Sequence, residues 1–399
     1  MTRSFTDILI SGGGVAGLTA AAAFGSAGFS VICTDPTLPV TSAEADGADL
    51  RTTAFLQPSI ALLEAAGLWT RLEPFAAALQ IMRIIDAGGE IAEPRVVKDF
   101  NAADLSDAPF GWNLPNWLLR REMVARLADL PNVSFLPGIA TRSLLTRDAE
   151  ALVTLSDGRN LCARLVIAAD GRASTMREAL GIPVKTTRYG QKALTFAVTH
   201  PIPHENVSTE IHRSGGPFTL VPLPDRDGLP CSAVVWMEAG PEALRLAVLP
   251  TPEFEAAMNL RSCQVLGPLS LVSRRSVWPI ISQIAARMAG ERVALMAEAA
   301  HVVPPIGAQG LNMSLADLAT LLELAQADPA NLGSAKMLDT YNRRRHFDVQ
   351  ARVTGIDALN RASMIEDQFL RDLRAGALNA FYSVASVRKT LMKAGLGLR

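Results

Sequence analysis

Near its start the chain carries Gly12-Gly13-Gly14-Val15-Ala16-Gly17, a G-x-G-x-x-G run whose spacing suits the binding of a pyrophosphate. Gly12 permits the tight turn, Gly14 lets backbone approach the phosphates, and Gly17 lets the following helix pack closely on the strand before it. Val15 and Ala16 open that helix, whose N-terminus faces the phosphates. Asp35, 23 residues beyond Gly12, stands where an acid binds a ribose 2′-hydroxyl, and a 2′-phosphate would call for Arg instead. The fingerprint predicts a dinucleotide. NAD and FAD both carry an ADP half, so it does not choose between them.

Two later segments hold further candidates. Asp170-Gly171-Arg172-Ala173-Ser174-Thr175-Met176-Arg177 reads D-G-x-x-S-x-x-R, and an acid there can bind a cofactor hydroxyl or simply cap a helix begun by Arg172. Glu298-Ala299-Ala300-His301-Val302-Val303-Pro304-Pro305-Ile306-Gly307-Ala308-Gln309-Gly310-Leu311-Asn312 combines a carboxylate, two glycines and a helix start near Leu311. The elements that must position these residues are short apolar strands. Asp7 to Ser11, Phe29 to Thr34, Leu165 to Ala169 and Arg292 to Met296 read as strands, and Val15 to Ala27 as an Ala-rich helix stopped by Gly28.

The three segments, in this order, resemble the class A flavoprotein aromatic hydroxylases, and most nearly the ubiquinone-biosynthesis hydroxylases of the UbiH/UbiF type. The likeness covers nearly the whole chain. Arg51-Thr52-Thr53-Ala54, Leu62 to Trp69, Asn116-Trp117-Leu118-Leu119-Arg120, Gly216-Pro217, Val221 to Pro224, Val235-Trp236, Tyr341 to Asp348 and Thr354 to Leu359 are similar to family segments. The resemblance implies FAD as cofactor and NAD(P)H as co-substrate. It implies a monooxygenase that hydroxylates the ring of a polyprenylated ubiquinone precursor with O2.

By the same resemblance Arg51 and Arg120 would meet FAD, against a surface pairing of Arg51 with Glu44, Asp46 or Asp49. Asp170 and Gly171 would serve FAD and the nicotinamide donor, and Glu298 the ribityl hydroxyls. Gly307 and Gly310 would let backbone approach the ring, with Leu311 and Asn312 opening a helix aimed at the flavin N1–C2 region. The family usually has Gly-Asp where this chain has Ala297-Glu298, and Gly where it has Ala308. Glu298 is expected to keep its charge in a shifted contact, and Gly307 to take over the positive-φ backbone. His301 and Pro305 are the weak catalytic candidates; a histidine at such a turn is more often structural, and Pro305 would shape the pocket.

The expected fold is α/β. A discontinuous Rossmann-like FAD-binding domain (1–76, 112–182 and 279–330) carries an inserted mixed or antiparallel sheet for substrate (77–111 and 183–278), followed by C-terminal helices (331–399). Pro201 to Pro252 suits antiparallel strands and turns. Residues 361 to 399 hold seven Lys/Arg against three Asp/Glu, and Phe381, Val384 and Leu391 fall on one side of a helix. Peripheral contact with the inner membrane, or with other quinone-biosynthesis proteins, is one reading of that segment; packing on the body is the other. Arg343-Arg344-Arg345 reads as a solvated helix face.

Composition narrows the classes. Of 399 residues, 38 are Lys/Arg and 39 Asp/Glu, a net charge of −1 that leaves no basic excess for nucleic acid. Hydrophobic residues make up 49 % and charged ones 19 %, enough to bury a large core. Cys33, Cys162, Cys231 and Cys263 lack metal spacing and read as reduced thiols, and no metal site is expected. Ile8 to Cys33 carries no charge, yet its glycines fit a strand-turn-helix unit rather than a lipid-facing helix, so a cytoplasmic protein is expected. Rival readings are a hydroxylase of a soluble phenol or polyketide, a non-catalytic scaffold, and an NAD-only dehydrogenase, for which the 298–312 segment has no role. Oligomeric state is not encoded in these patterns.

Overall fold

The computed structural model describes residues 4–213, 215–365 and 367–397. Its first sheet grows from the strand Ser4–Ser11, whose Ile8, Leu9 and Ile10 are fully buried. On one side it pairs in parallel with Val31–Asp35, which pairs with Val133–Pro137. On the other side it pairs with Asn160–Ala168, which pairs with Val293–Leu295. The chain thus leaves the first strand in one direction and returns on the opposite side, and a switch of this kind opens a crevice at the carboxyl ends of the strands. Antiparallel strands Thr141–Thr146 and Ala151–Leu155 extend the sheet.

The helix Val15–Ser26 is buried on nearly all sides, which only small side chains allow. Asn116–Ala128 packs across it, and a Cβ on Gly25 would come within 2.3 Å of Val133. A second sheet runs in the order His301–Val302, Ser276–Ala285, Val184–Thr199, Leu229–Ala239, Pro217–Arg226, Val207–His212, Ile81–Asp86, Val96–Asn101. It is antiparallel except for the pairing of Val207–His212 with Ile81–Asp86, so the sheet is mixed. The strand Ser276–Ala285, which spans residue 279, lies wholly within it. Helices Gly240–Val248 and Thr251–Arg261 cover one face, over a separate core that includes Phe196, Phe218, Trp236 and Phe254. The first of these helices lies inside the Pro201–Pro252 stretch read as strands and turns, because Pro241 supplies a ready first turn. A small sheet of Thr52–Leu56, Gly111–Pro115 and Ala77–Leu79 lies beside the second sheet, where Asn113 Nδ2 donates to Pro222 O at 3.0 Å.

The chain closes with helices Ala335–Ser363, Gln368–Ser383 and Ala385–Leu396. The apolar stripe expected through residues 381 to 391 is not on one helix. Val384, at φ −94° and ψ 103°, breaks it, and the Phe381 side chain lies outside the described residues. Arg345 also departs from a solvated face: it is buried and bonded to Asp317 and Asp348, while Arg344 reaches Glu323 from the surface. Three of the four cysteines are buried and Cys263 is half-buried. Among the described residues no helix is long and apolar enough to cross a membrane.

Candidate functional site

The three segments singled out from sequence follow the carboxyl ends of three neighbouring parallel strands, at Ser11, Ala168 and Leu295. Topology therefore gathers them. Gly12 turns at φ +109°, and a Cβ there would lie 2.2 Å from Ala169 O, so the first loop rests directly on the second. A Cβ on Gly17 would meet Gly12 O at 1.9 Å, which is how the helix is drawn onto the turn. Gly14 is different. Nothing lies within 4 Å of a Cβ built there, and the space it leaves is open to a ligand beside the helix N-terminus.

Asp35 ends the second strand beside this loop. Its Oδ2 accepts from Gly13 N–H at 2.7 Å, and its Oδ1 accepts from Thr37 N–H and Oγ1 at 2.8 and 2.6 Å. Oδ2 keeps a lone pair for a sugar hydroxyl. Arg120, Phe135, Thr37, Leu38 and Pro39 line the same crevice with Gly13, Gly14 and Asp35. Asp170 accepts from Thr175 Oγ1 and Met176 N–H through Oδ2, both at 3.2 Å, but the helix Thr175–Ala179 is capped by Ser174 instead of starting at Arg172. Asp170 Oδ1 is buried with no partner among the described residues, an orphan acceptor. Gly171 holds φ +83° next to it.

Arg51 does not wait for a phosphate. Its Nε and Nη2 close on Asp49 at 2.8 and 2.7 Å, the pairing weighed above against a cofactor contact, and its guanidinium lies 4.1 Å from the Trp278 ring centroid. What sequence reasoning missed is the reach of Asp49, which it weighed only as a surface partner for Arg51. Its buried carboxylate also accepts from Asn116 Nδ2 at 3.0 Å and lies 3.9 Å from Arg120 Nη2, so it sets both arginines. Burial would raise its pKa, but the Arg51 hydrogen bonds and charge, with Asn116, win and hold it below the usual carboxylate range. The one sequence signal was the Asp-x-Arg spacing.

In the third segment both the expected glycine sites are alanines in left-handed backbone, Ala297 at φ 54° and Ala308 at φ 55°. Gly307 is left-handed too, at φ 62°, so it accompanies Ala308 and does not replace it. Each alanine costs roughly 1–2 kcal/mol relative to right-handed backbone. Asn312 offsets part of this: Nδ2 donates to Ala308 O and Ala54 O at 2.6 and 2.8 Å, and Oδ1 accepts from Leu56 N–H and Ser59 Oγ at 2.9 and 2.7 Å. With four bonds made, its side chain is a staple and is not available as a ligand. The helix begins at Gln309, two residues before Leu311, and no side chain caps it, so its first amide N–H groups are open to a bound anion. Gly310 presents an open face and Leu311 packs on the core. Glu298 is exposed on the 3-10 turn Ala297–Ala299, and its charge is felt by Arg51.

His301, the weak catalytic candidate, lies in the interior. It is almost fully buried, and Nε2 meets Asp317 Oδ2 at 2.7 Å while Arg345 Nε donates to Oδ1 at 2.7 Å. Burial would raise the Asp317 pKa, yet the charges and hydrogen bonds of His301 and Arg345 prevail and hold it down. Pro305 is exposed, and the buried proline of the pair is Pro304.

These features fit FAD: an unfilled space at Gly14, an orphan acceptor at Asp170, an acid beside the first loop and an uncapped 19-residue helix. Comparison with known proteins agrees. The FAD binding domain family model matches residues 5–355. The ubiquinone hydroxylase UbiL of Rhodospirillum rubrum is 33 % identical over 359 residues, covering 89 % of this chain and 81 % of that protein. The 3-demethoxyubiquinol 3-hydroxylase of Escherichia coli is 25 % identical over 402 residues, covering both chains fully. Among solved structures, the p-nitrophenol 4-monooxygenase PnpA of Pseudomonas putida superposes with a TM-score of 0.80 at 20 % identity over the whole of both chains, a likeness of fold. The chain is therefore an FAD-dependent, NAD(P)H-using aromatic monooxygenase and belongs to the ubiquinone-biosynthesis hydroxylases.

Proposed function

We propose that this enzyme hydroxylates the aromatic ring of a polyprenylated ubiquinone precursor, with FAD laid across the carboxyl ends of Ser4–Ser11, Asn160–Ala168 and Val293–Leu295. The observation that supports the seat is the meeting of three loops there, with the second sheet hydrogen-bonded to the last of them through His301–Val302. The substrate reading is supported by the names of the two relatives above.

In this reading Gly12, Gly14, Val15, Ala16 and Gly17 receive the pyrophosphate, Asp35 the ribose and Arg120 the adenosine-side phosphate. Asp170 and Gly171 meet the cofactor backbone, Glu298 faces the ribityl chain, and Gly307 and Gly310 let backbone reach the ring. When bound, FAD supplies hydride acceptance from NAD(P)H and the activation of O2 for transfer to the ring. The open N–H groups at Gln309 to Leu311 stabilise negative charge at the pyrimidine end without reorganising. Asn312 and Asp49 hold the loops in register, and the second sheet shields the ring from water. Contact with a membrane and with other quinone-biosynthesis proteins belongs to the same proposal.

The test is lipid extraction from a strain deleted for the gene. An under-hydroxylated prenylated phenol should build up and clear on complementation with the wild-type chain but not with Gly14→Ala. Normal quinone content would overturn the substrate reading and favour a soluble phenol; a purified chain that stays colourless in excess FAD would overturn the seat.

A further inference from the structure

On the strand Val207–His212, Ile211 enters the core beneath the helices Gly240–Val248 and Thr251–Arg261. Glu210 and His212, one residue to either side, therefore stand on the opposite face of the sheet. They meet there. His212 Nε2 lies 2.7 Å from Glu210 Oε1, with the two side chains 17 % and 7 % exposed. Glu210 is in register with Thr219, Thr219 with Val235, and Val235 with Thr195, a row of short side chains. On this face Ala193 and Met237 join the core that contains Ile306, and Val235 and Leu311 pack against that core. The pair thus lies on the side of the sheet that looks towards the turn and helix start at 306–311. Thr219, Val221 and Val235 are only half-buried although their strands are interior to the sheet, so room for a flat ring remains over them.

A carboxylate beside an imidazole fixes its tautomer. Glu210 accepts from Nε2–H, which puts the lone pair of the neutral ring on Nδ1, and Nδ1 is buried with no partner among the described residues. A buried acceptor of this kind calls for a donor. The neighbouring charges are engaged elsewhere. Asp86, in register with His212 on the adjoining strand, pairs with Arg95, which also holds Asp372. Lys98 stands on the same face over the Tyr382 ring, and Arg261 lies across the sheet over Phe218.

We propose that the Glu210–His212 pair takes the proton of the substrate's phenol group. The phenol O–H bond breaks, an Nδ1–H bond forms and the electron pair stays on oxygen, which makes the ring a better nucleophile for an electrophilic oxygen atom. Glu210 steadies the imidazolium, and the proton returns to the product. The proposal rests on the reading above that the ring to be hydroxylated carries a phenol.

The experiment uses the FAD-loaded enzyme and 2-prenyl-4-nitrophenol, nearly colourless when neutral and yellow as the anion, read in difference spectra about one pH unit below the probe's own pKa. Wild type should bind it with an anion-to-neutral ratio about ten-fold or more above that of the free probe. His212→Gln, which keeps a donor to Glu210 but takes no proton, should hold its flavin and bind the probe neutral. Its turnover of a prenylated phenol should fall roughly 100-fold or more, and the deficit should shrink across ring-fluorinated phenols that ionise at lower pH. Wild type that binds the probe neutral overturns the proposal and leaves the phenol reading standing, as does a His212→Gln enzyme that ionises the probe equally well. A deficit that is the same for every fluorinated phenol gives His212 a packing role and overturns the proposal too. Wild type that binds no phenol in calorimetry, prenylated or plain, overturns the proposal together with the phenol reading.

Discussion

Asp317→Asn tests whether the buried Arg345–Asp317–His301 cluster holds the helix Gln309–Ala327 in place. The carboxylate has no exposed surface, and each oxygen receives a donor at 2.7 Å. Asn has the same shape but one acceptor, and its amide NH2 meets a donor where the other oxygen stood. Arg345 is then left buried with Asp348, whose side chain is 36 % exposed and screened by water. Removing one partner of a buried ion pair costs about 3–5 kcal/mol. A chain of 399 residues unfolds with an entropy of roughly 0.8 kcal/mol/K, so Tm should fall by about 4–6 °C. Circular dichroism and flavin release, followed together on the loaded enzyme, measure it. The double variant Asp317→Asn/Arg345→Met should recover at least about 1 kcal/mol against the sum of the single variants. The pH dependence follows from the sign of the shift. Because the native carboxyl titrates below its unfolded value, its contribution is complete above the ordinary carboxylate range and disappears as pH falls through the native pKa. The acid limb of stability, below about pH 4, should therefore be shallower in Asp317→Asn than in wild type. A Tm change under about 1 °C, or single-variant effects that simply add, would refute the reasoning.

Three other predictions concern the loops. Gly14→Ala should leave the melting temperature of the apo chain within about 1 °C while weakening FAD at least about ten-fold, because its methyl enters ligand space, whereas Gly17→Ala should destabilise the apo chain by about 2–3 kcal/mol by pressing on Gly12 O; thermal melts and flavin titration separate the two. Ala308→Gly should raise Tm by about 1 °C and Ala308→Val lower it, since the left-handed backbone there penalises β-branching and the gain from Gly is partly offset in the unfolded chain. Asp49→Asn should speed flavin release several-fold as Arg51 and Arg120 lose their common anchor, read by stopped-flow dilution.

What was legible in the sequence is what is local. The strand-turn-helix at Gly12, the acid at 35 and the strands before Asp170 and Glu298 are each set within a few residues, and the parallel sheet then carries them together. The contacts that were not legible span distance: Asp49 finds Asn116, Asn312 reaches Leu56 and Ala54, and His301 and Arg345 converge on Asp317 from elements that no periodicity connects. A basic triplet looks solvated until a partner carboxylate on another helix buries its third member. Ala308, whose left-handed backbone was expected to pass to Gly307, keeps that conformation with its carbonyl held by Asn312, a bond that side-chain identity alone does not reveal.

Gln309 joins parts of the chain that lie far apart. Its amide donates to Gly307 O and to Gly395 O at 2.9 and 2.8 Å, while its oxygen accepts from Arg352 at 3.2 Å. Clipping the chain ahead of Ala385 would remove the far anchor of this side chain and slacken the loop immediately before the helix Gln309–Ala327. An enzyme shortened there should still colour yellow but let its cofactor wash out during chromatography, a loss readily mistaken for a poor preparation.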